Sequence, residues 1–185
     1  GRMTVIEADA LTLDLTTITD KPRQIVSNLP YNVGTPLLLG WLENATAFQR
    51  MTLMFQKEVA DRLTAVPRSK AYGRLSVLSQ WLCETRHLFD VKPSAFVPPP
   101  AVMSTVVELI PRAEPLAPAN RLTLEAVTRH AFGQRRKMLR QSLKPLGGEA
   151  LLQRAGIAPT ARAEELSVED FCLLANAIVS PGATG

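Results

Sequence analysis

The stretch over residues 25–38, Ile-Val-Ser-Asn-Leu-Pro-Tyr-Asn-Val-Gly-Thr-Pro-Leu-Leu, constrains the fold of this chain more than any other. Ile25 and Val26 form an apolar pair that gives way to Asn28 and Pro30. An apolar segment of helical character begins after Thr35 and Pro36, so polar residues sit where a buried strand surfaces. The carboxyl end of such a strand is where α/β proteins place their chemistry. Asn28 offers an amide oxygen, Pro30 stiffens the turn, and Tyr31 presents a flat aromatic face with a polar tip. These groups suit a flat, amine-bearing heterocycle. Taken alone, they describe an ordinary strand-to-helix turn equally well.

The chain around this stretch alternates between strand-like and helix-like segments. Short β-branched or apolar runs predict strands over residues 3–6, 24–27, 51–55, 88–91 and 104–110, the third of them covered on both faces. Helical spacing predicts helices from Thr35 to about Leu42, over 57–65, and over 74–85 with Leu75, Leu78 and Leu82 on one side. This alternation argues for a parallel sheet with helices on its faces. Between the last two strands lies Phe96-Val97-Pro98-Pro99-Pro100, too rich in proline to join a central ladder. Residues 111–118 change texture to Pro, Ala and charge and form a linker, which divides the chain into 1–111 and 112–185. Beyond the linker the pattern is all helical, over 123–132, 135–143, 149–155 and 168–179. Ser167 and Asp170 are spaced as a capping box for the last of these.

Positive charge concentrates between Glu125 and Glu149, where Arg129, Arg135, Arg136, Lys137, Arg140 and Lys144 occur with no acid among them. On one continuous helix, Arg129, Arg136, Arg140 and Lys144 fall near a single stripe beside Phe132, Leu139 and Leu143, with Arg135 on the other side of the apolar residues. A second basic loop, Arg68-Ser69-Lys70 with Arg74, precedes a helix. Charge runs are usually solvated faces, but one-sided sign and arginine richness suit phosphate contacts.

Five separate blocks resemble, in order, the small-subunit ribosomal RNA adenine N6,N6-dimethyltransferase family (KsgA type). They are Asn28-Leu29-Pro30-Tyr31-Asn32, the octapeptide at 56–63, the nonapeptide at 69–77, Ala95-Phe96-Val97-Pro98-Pro99-Pro100, and Ala131-Phe132-Gly133-Gln134-Arg135-Arg136-Lys137. The resemblance implies a class α/β fold, with part of a Rossmann-like methyltransferase sheet in 1–111 and a small all-α unit in 112–185. It implies S-adenosylmethionine as methyl donor and, as partner, small-subunit rRNA in an assembling 30S particle. Catalytic roles fall on Asn28, Leu29, Pro30 and Tyr31, with Phe96 facing Tyr31 across the target base. Donor contacts fall on Asp9, Ala10 and Asn28. Phosphate contacts fall on Arg68, Lys70, Arg74, Arg129, Arg135, Arg136, Lys137, Arg140 and Lys144. For Asp9 a surface turn, and for Phe96 a proline-rich connector, are the plain alternatives.

The chain departs from this pattern in one respect. The family's Gly-rich turn has no counterpart here, since the ten glycines include no Gly-x-Gly. The expectation is therefore that the main donor-binding segment is absent, that residues 1–185 bind the donor poorly and are inactive alone, and that the strand at 24–27 has an open edge covered by another copy pairing through it, a swapped element or a flexible start, although the full-length form is a monomer. Two other readings stand beside the leading one: a large-subunit rRNA adenine methylase, which shares an Asn-x-Pro-Tyr element, and a non-catalytic RNA-binding assembly factor.

Composition narrows the remaining classes. With 185 residues and 46% hydrophobic content the chain can bury a core, and its net charge of +4 suits a polyanion. No run of 18 apolar residues and no export leader is present, which predicts neither a membrane span nor secretion. Cys83 and Cys172 lie far apart in apolar, helix-like segments and are expected as buried thiols in a reducing, cytoplasmic setting. His87 and His130 lack partners at metal-ligand spacing, so no metal is expected.

Overall fold

The computed structural model describes residues 3–179. Four strands, β1 (Gln24–Asn28), β2 (Arg50–Gln56), β3 (Cys83–Val91) and β4 (Ser104–Pro111), form one sheet in the order β1-β2-β4-β3. Only β1 and β2 run parallel; β4 is antiparallel to both β2 and β3. The sheet is therefore mixed rather than parallel, because β3 and β4 are joined by the proline-rich loop instead of a crossover helix. In β2, Met51, Leu53 and Phe55 are buried while Thr52, Met54 and Gln56 are half-buried, so one face is packed and the other only partly covered. On that second face Glu108 lies between Arg50 at 2.8 Å and Arg86 at 3.7 Å, a cross-strand arrangement that neutralises a buried carboxylate.

The helices in the first half are α1 (Gly34–Trp41), α2 (Lys57–Leu63) and α3 (Arg74–Leu82). Helix α1 begins ahead of Thr35, with no side-chain cap, and accommodates Pro36 in its first turn, where the missing N–H costs nothing. Leu37 and Leu38 of α1 pack with Ile25, Leu53, Phe55 and Leu109 to make the sheet's core. Helix α3 ends at Leu82, and Cys83 opens β3 instead of continuing the helix, because residues 83–87 pair with β4.

Residues 3–6, expected as a strand, pair with nothing among the described residues. Met3 and Val5 are 83% and 81% exposed, and a strand without a ladder partner has no reason to persist. Strand β1 lies at the sheet's edge, with Val26 79% exposed.

The second half contains α4 (Arg121–Gly133), α5 (Leu139–Ser142), α6 (Gly148–Arg154) and α7 (Val168–Val179). Leu124, Val127, Leu139, Leu151 and Phe171 form its core, which also takes in Tyr72, Val77 and Trp81 from the first half. Asn120 caps α4 by accepting from Thr123 N, and the box at α7 is formed as its spacing predicts: Asp170 accepts from Ser167 N at 2.9 Å, and Ser167 Oγ accepts from Asp170 N at 3.1 Å. The expected helix over 135–143 does not form. Gln134 leaves the helical region at φ −128, ψ 55; Met138 bridges to Arg162; and α5 starts only at Leu139, whose N–H donates to Ala161 O at 2.8 Å.

Candidate active site and nucleic-acid interface

At the carboxyl end of β1 the backbone continues the ladder for one residue, Leu29 N–H donating to Met54 O at 3.3 Å, and then turns. The turn closes through Pro30 O, which accepts from Val33 N at 3.2 Å and Gly34 N at 3.0 Å and leads directly into α1. Leu29 is buried and anchors the turn, while Asn28, Pro30 and Tyr31 are exposed. A cleft of about 300 Å³ opens in front of them, lined by Asn28, Leu29, Pro30, Tyr31, Phe96, Pro98 and Pro100. The structure thus brings together the five residues singled out for catalysis, which in sequence lie as far apart as 28 and 96.

Tyr31 is 43% exposed, yet its hydroxyl points inward, 2.8 Å from the Oγ of the fully buried Ser104. Ser104 was not identifiable from the sequence as anything but a strand residue. Its contact spans 73 positions and carries no local signature.

Below the cleft, Lys57 N–H donates to Met103 O at 2.9 Å, tying α2 to the end of the proline-rich loop. The Asp61 carboxylate, at 3.1 Å, holds the Lys57 ammonium above its ordinary range, with Asp90 at 3.5 Å adding to the effect. Asp90 is itself held below the usual carboxylate range, chiefly by the hydroxyl of Thr105 at 2.6 Å.

Asp9 and Ala10 lie outside this cleft. Asp9 Oδ1 accepts from Leu11 N at 2.9 Å in a local turn, and Ala10 lines a separate depression of about 340 Å³ against α1. The basic residues divide into groups because no single helix carries them. Arg135 and Lys70 border a groove of about 860 Å³ with Lys57 and Arg62, and Arg135, Arg62 and Arg74 border an adjoining groove of about 510 Å³. Arg140 and Lys144 border a third, of about 360 Å³, beside Gly147 and Gly148. Arg129, Arg136 and Lys137 are exposed, as is Arg68, which adopts φ 70 in the loop before α3. The stripe expected from helical spacing is thereby corrected: the break at Gln134 rotates Arg136, Arg140 and Lys144 out of line with Arg129. Lys57 and Arg62 join the grooves without having been marked in the sequence, although both lie in the block at 56–63.

Among the described residues, no group of three His, Cys, Asp or Glu side chains could hold a metal ion. No helix among them is long and apolar enough to cross a membrane.

A mixed sheet whose strand end carries Asn-Leu-Pro-Tyr opposite an aromatic, with helices packed against it and a helical unit appended, places the chain in the Rossmann-like fold class that methyltransferases use. Solved structures bear out the fold. The chain superposes with TM-score 0.75 on a dimethyladenosine transferase from Plasmodium falciparum, with 25% identity, covering 91% of this chain and 70% of that one. It superposes with TM-score 0.64 on the 23S rRNA methyltransferase ErmE, at 24% identity, covering 95% and 71%. The chain belongs to the ribosomal RNA adenine dimethylase family, whose model matches residues 1–180. It is 66% identical over 179 residues to ribosomal RNA small subunit methyltransferase A of Paramagnetospirillum magneticum, covering 96% of this chain and 64% of that protein. With the protein of the same description from Rhodospirillum rubrum it shares 61% identity over 183 residues, covering 98% and 64%. The chain therefore spans just under two thirds of the length of these relatives.

Proposed function

We propose that the protein transfers methyl groups from S-adenosylmethionine to N6 of two adjacent adenosines near the 3′ end of small-subunit (16S) ribosomal RNA, acting in the cytoplasm on an assembling 30S particle. The observation that carries this reading is the cleft in which the exposed ring of Tyr31 and the carboxamide of Asn28 face Phe96. Catalysis belongs to residues 1–111, and the helical unit at 112–185 supplies most of the cationic grip.

An adenine amino group is a poor nucleophile because its lone pair is delocalised into the ring. A hydrogen bond from that amino group to the Asn28 oxygen, and a second to a main-chain carbonyl, favours the pyramidal nitrogen of the transition state, so the stabilisation arises where it accelerates the reaction. Of the two carbonyls available, Pro30 O already accepts from Val33 and Gly34, which leaves Leu29 O for the second bond. A neutral carboxamide does this without the desolvation cost of an ionised acid. S-adenosylmethionine supplies an electrophilic methyl group on its sulfonium. Asp9 fits an adenosine amino group on the donor side, because it is exposed and its second carboxylate oxygen is outside the local turn; this reading assigns the remaining donor contacts to Ala10 main chain and Asn28.

Extruding a base from its stack costs a few kcal/mol. Stacking on Tyr31 and Phe96 returns about 1–3 kcal/mol per aromatic partner, enough to offset most of that cost. Arg68, Lys70, Arg74, Arg129, Arg135, Arg136, Lys137, Arg140 and Lys144 contact phosphates and hold the strand while the base is out.

The test compares Tyr31→Ala with the pair Arg136→Ala and Arg140→Ala in the protein as encoded. Loss of methylation with little loss of RNA affinity is expected from the first. Weaker binding and a salt dependence flattened by about two units are expected from the pair. Equal loss of affinity from both would make the protein a non-catalytic assembly factor, and methylation of large rather than small subunits would reassign its substrate.

A further inference from the structure

Tyr31 is a surface residue whose hydroxyl is not at the surface. An exposed tyrosine ordinarily turns its polar tip to water. Here the tip is drawn 2.8 Å from the Oγ of Ser104, a side chain with no exposed area, while the ring stays open on the cleft side. Ser104 is itself fixed from both sides. It starts β4, pairing with Gln56 of β2 and Val91 of β3. The preceding residue, Met103, accepts from Lys57 N at 2.9 Å, and the following one, Thr105, donates to Asp90 at 2.6 Å. Ser104 is also the point where the loop bearing Phe96 re-enters the sheet.

We infer that Ser104 is a positioning residue for the methylation reaction. By holding the Tyr31 hydroxyl it fixes the direction in which the ring extends over the cleft, and the preference of a phenolic hydrogen bond for the ring plane biases that plane toward the base; it also sets the ring relative to Phe96 on the loop it terminates. The inference rests on the function proposed above. Its physical content is preorganisation: a tyrosine free to swing about its side-chain torsions must be ordered each time a base arrives, whereas a tethered one is ordered beforehand. The same bond assigns Tyr31 a role. A hydroxyl occupied by Ser104 does not take a proton from the amine, so the ring acts as a stacking face and not as a base.

The experiment uses the protein as encoded, with Ser104→Ala, Tyr31→Phe, the double variant and Tyr31→Ala assayed for kcat and KM on assembling small subunits. In parallel, the quenching of 2-aminopurine placed at the target position of a short RNA is measured. Loss of one hydrogen bond that acts in the transition state predicts about a 3- to 10-fold fall in kcat for Ser104→Ala and for Tyr31→Phe, with KM within about twofold. Both single variants are expected to quench 2-aminopurine less than the parent, and the double variant no less than either single one, since both remove the same bond. Parent-like kcat and quenching in Ser104→Ala and Tyr31→Phe, or losses that multiply in the double variant, would overturn the inference. Full methylation by Tyr31→Ala would instead overturn the proposed function. Tyr31→Phe removes the same bond while keeping the half-exposed ring, so parent-like kcat and quenching in that variant overturn the inference even where Ser104→Ala fails to fold.

Discussion

The Arg135 guanidinium donates a hydrogen bond to the main-chain carbonyl of Ser69 at 3.2 Å, joining the turn after α4 to the loop before α3 across 66 positions of sequence. This contact brings Arg135 of the later basic segment against the earlier basic loop. Arg135 borders both grooves beside α2, one shared with Lys70 and the other with Arg74, and the side of the larger groove at Gln56 and Met103 adjoins Ser104 and hence the Tyr31 cleft. Phosphates lying along these grooves would lead a strand to the cleft mouth.

Replacing Arg135 with Ala is expected to do two things that Arg136→Ala does not do together. Both variants should lower RNA affinity and reduce the slope of log affinity against log salt by about one, as each removes one of the proposed phosphate contacts. Only Arg135→Ala should also release the loop, seen as faster hydrogen exchange over residues 68–72. Unchanged exchange in that loop would show that the Ser69 contact does not hold it.

The contrast between these arginines shows what could be read from the chain and what could not. The turn at Asn28–Tyr31 was legible because it sits in a short run whose side chains and proline dictate local geometry, whereas Phe96 was set opposite it only by the resemblance of its proline-rich block to the family. The basic stripe was not. Residues 134–138, Gln-Arg-Arg-Lys-Met, are all good helix formers, and Gly133 just ahead of them is the one local mark of a break. The break is imposed from elsewhere, by the bridge of Met138 to Arg162 and the bond of Leu139 N to Ala161 O. Cys83 was misplaced for a similar reason: an apolar run such as Trp81-Leu82-Cys83 has no period of its own, and pairing with β4 decides where helix gives way to strand. Ser104 belongs to the same class, since only the folded sheet brings it to Tyr31.

Gly34, the first residue of α1, offers a test of how tightly the turn after β1 is packed. A Cβ at this position would lie 3.2 Å from the Phe55 ring and 3.3 Å from Leu29 Cβ, both buried side chains. Gly→Ala in a helix ordinarily gains up to about 1 kcal/mol, and less in the first turn. Overpacking a filled core costs about 1–3 kcal/mol. The cost wins because Leu29 Cβ moves only with a backbone that the bonds to Met54 O and Pro30 O hold in place, so Gly34→Ala should lower the urea midpoint with m unchanged, by about 1 kcal/mol net. A higher midpoint would mean that the turn yields more readily than its packing indicates.

The segment between the two halves is held by Trp81, whose Nε1 donates to Ala117 O at 2.8 Å while its own carbonyl accepts from Leu116 N at 2.8 Å. Trp81→Phe keeps most of the apolar surface but strands the Ala117 carbonyl, a loss of about 1–3 kcal/mol. Residues 112–119 should then lose hydrogen-exchange protection before the rest of the helical core does. Protection lost uniformly through α4 and α7 would show that Trp81 serves the core as a whole and not the linker.

Alkaline pH should expose the buried thiols through stability before any reagent reaches them. Burial pushes Cys83 from its ordinary value near 9.0 up to about 12 and Cys172 up to about 11, and it raises the Tyr72 hydroxyl as well. In each case the folded protein keeps a proton that the unfolded chain releases, so the unfolded state binds fewer protons and stability falls with rising pH. The contribution is complete below pH 9.0, and the loss runs from there through the folded values near 11 and 12. Stability measured by urea unfolding should therefore be level from neutral pH to about 8.5 and decline above 9. The double variant Cys83→Ala with Cys172→Ala removes the two lower onsets and leaves Tyr72, whose unfolded value is 10.0, so its decline should begin about one pH unit later. An identical profile in parent and double variant would mean that the thiols ionise as freely in the folded protein as in the unfolded chain, contrary to the burial of Cys83 at the start of β3 and of Cys172 in α7.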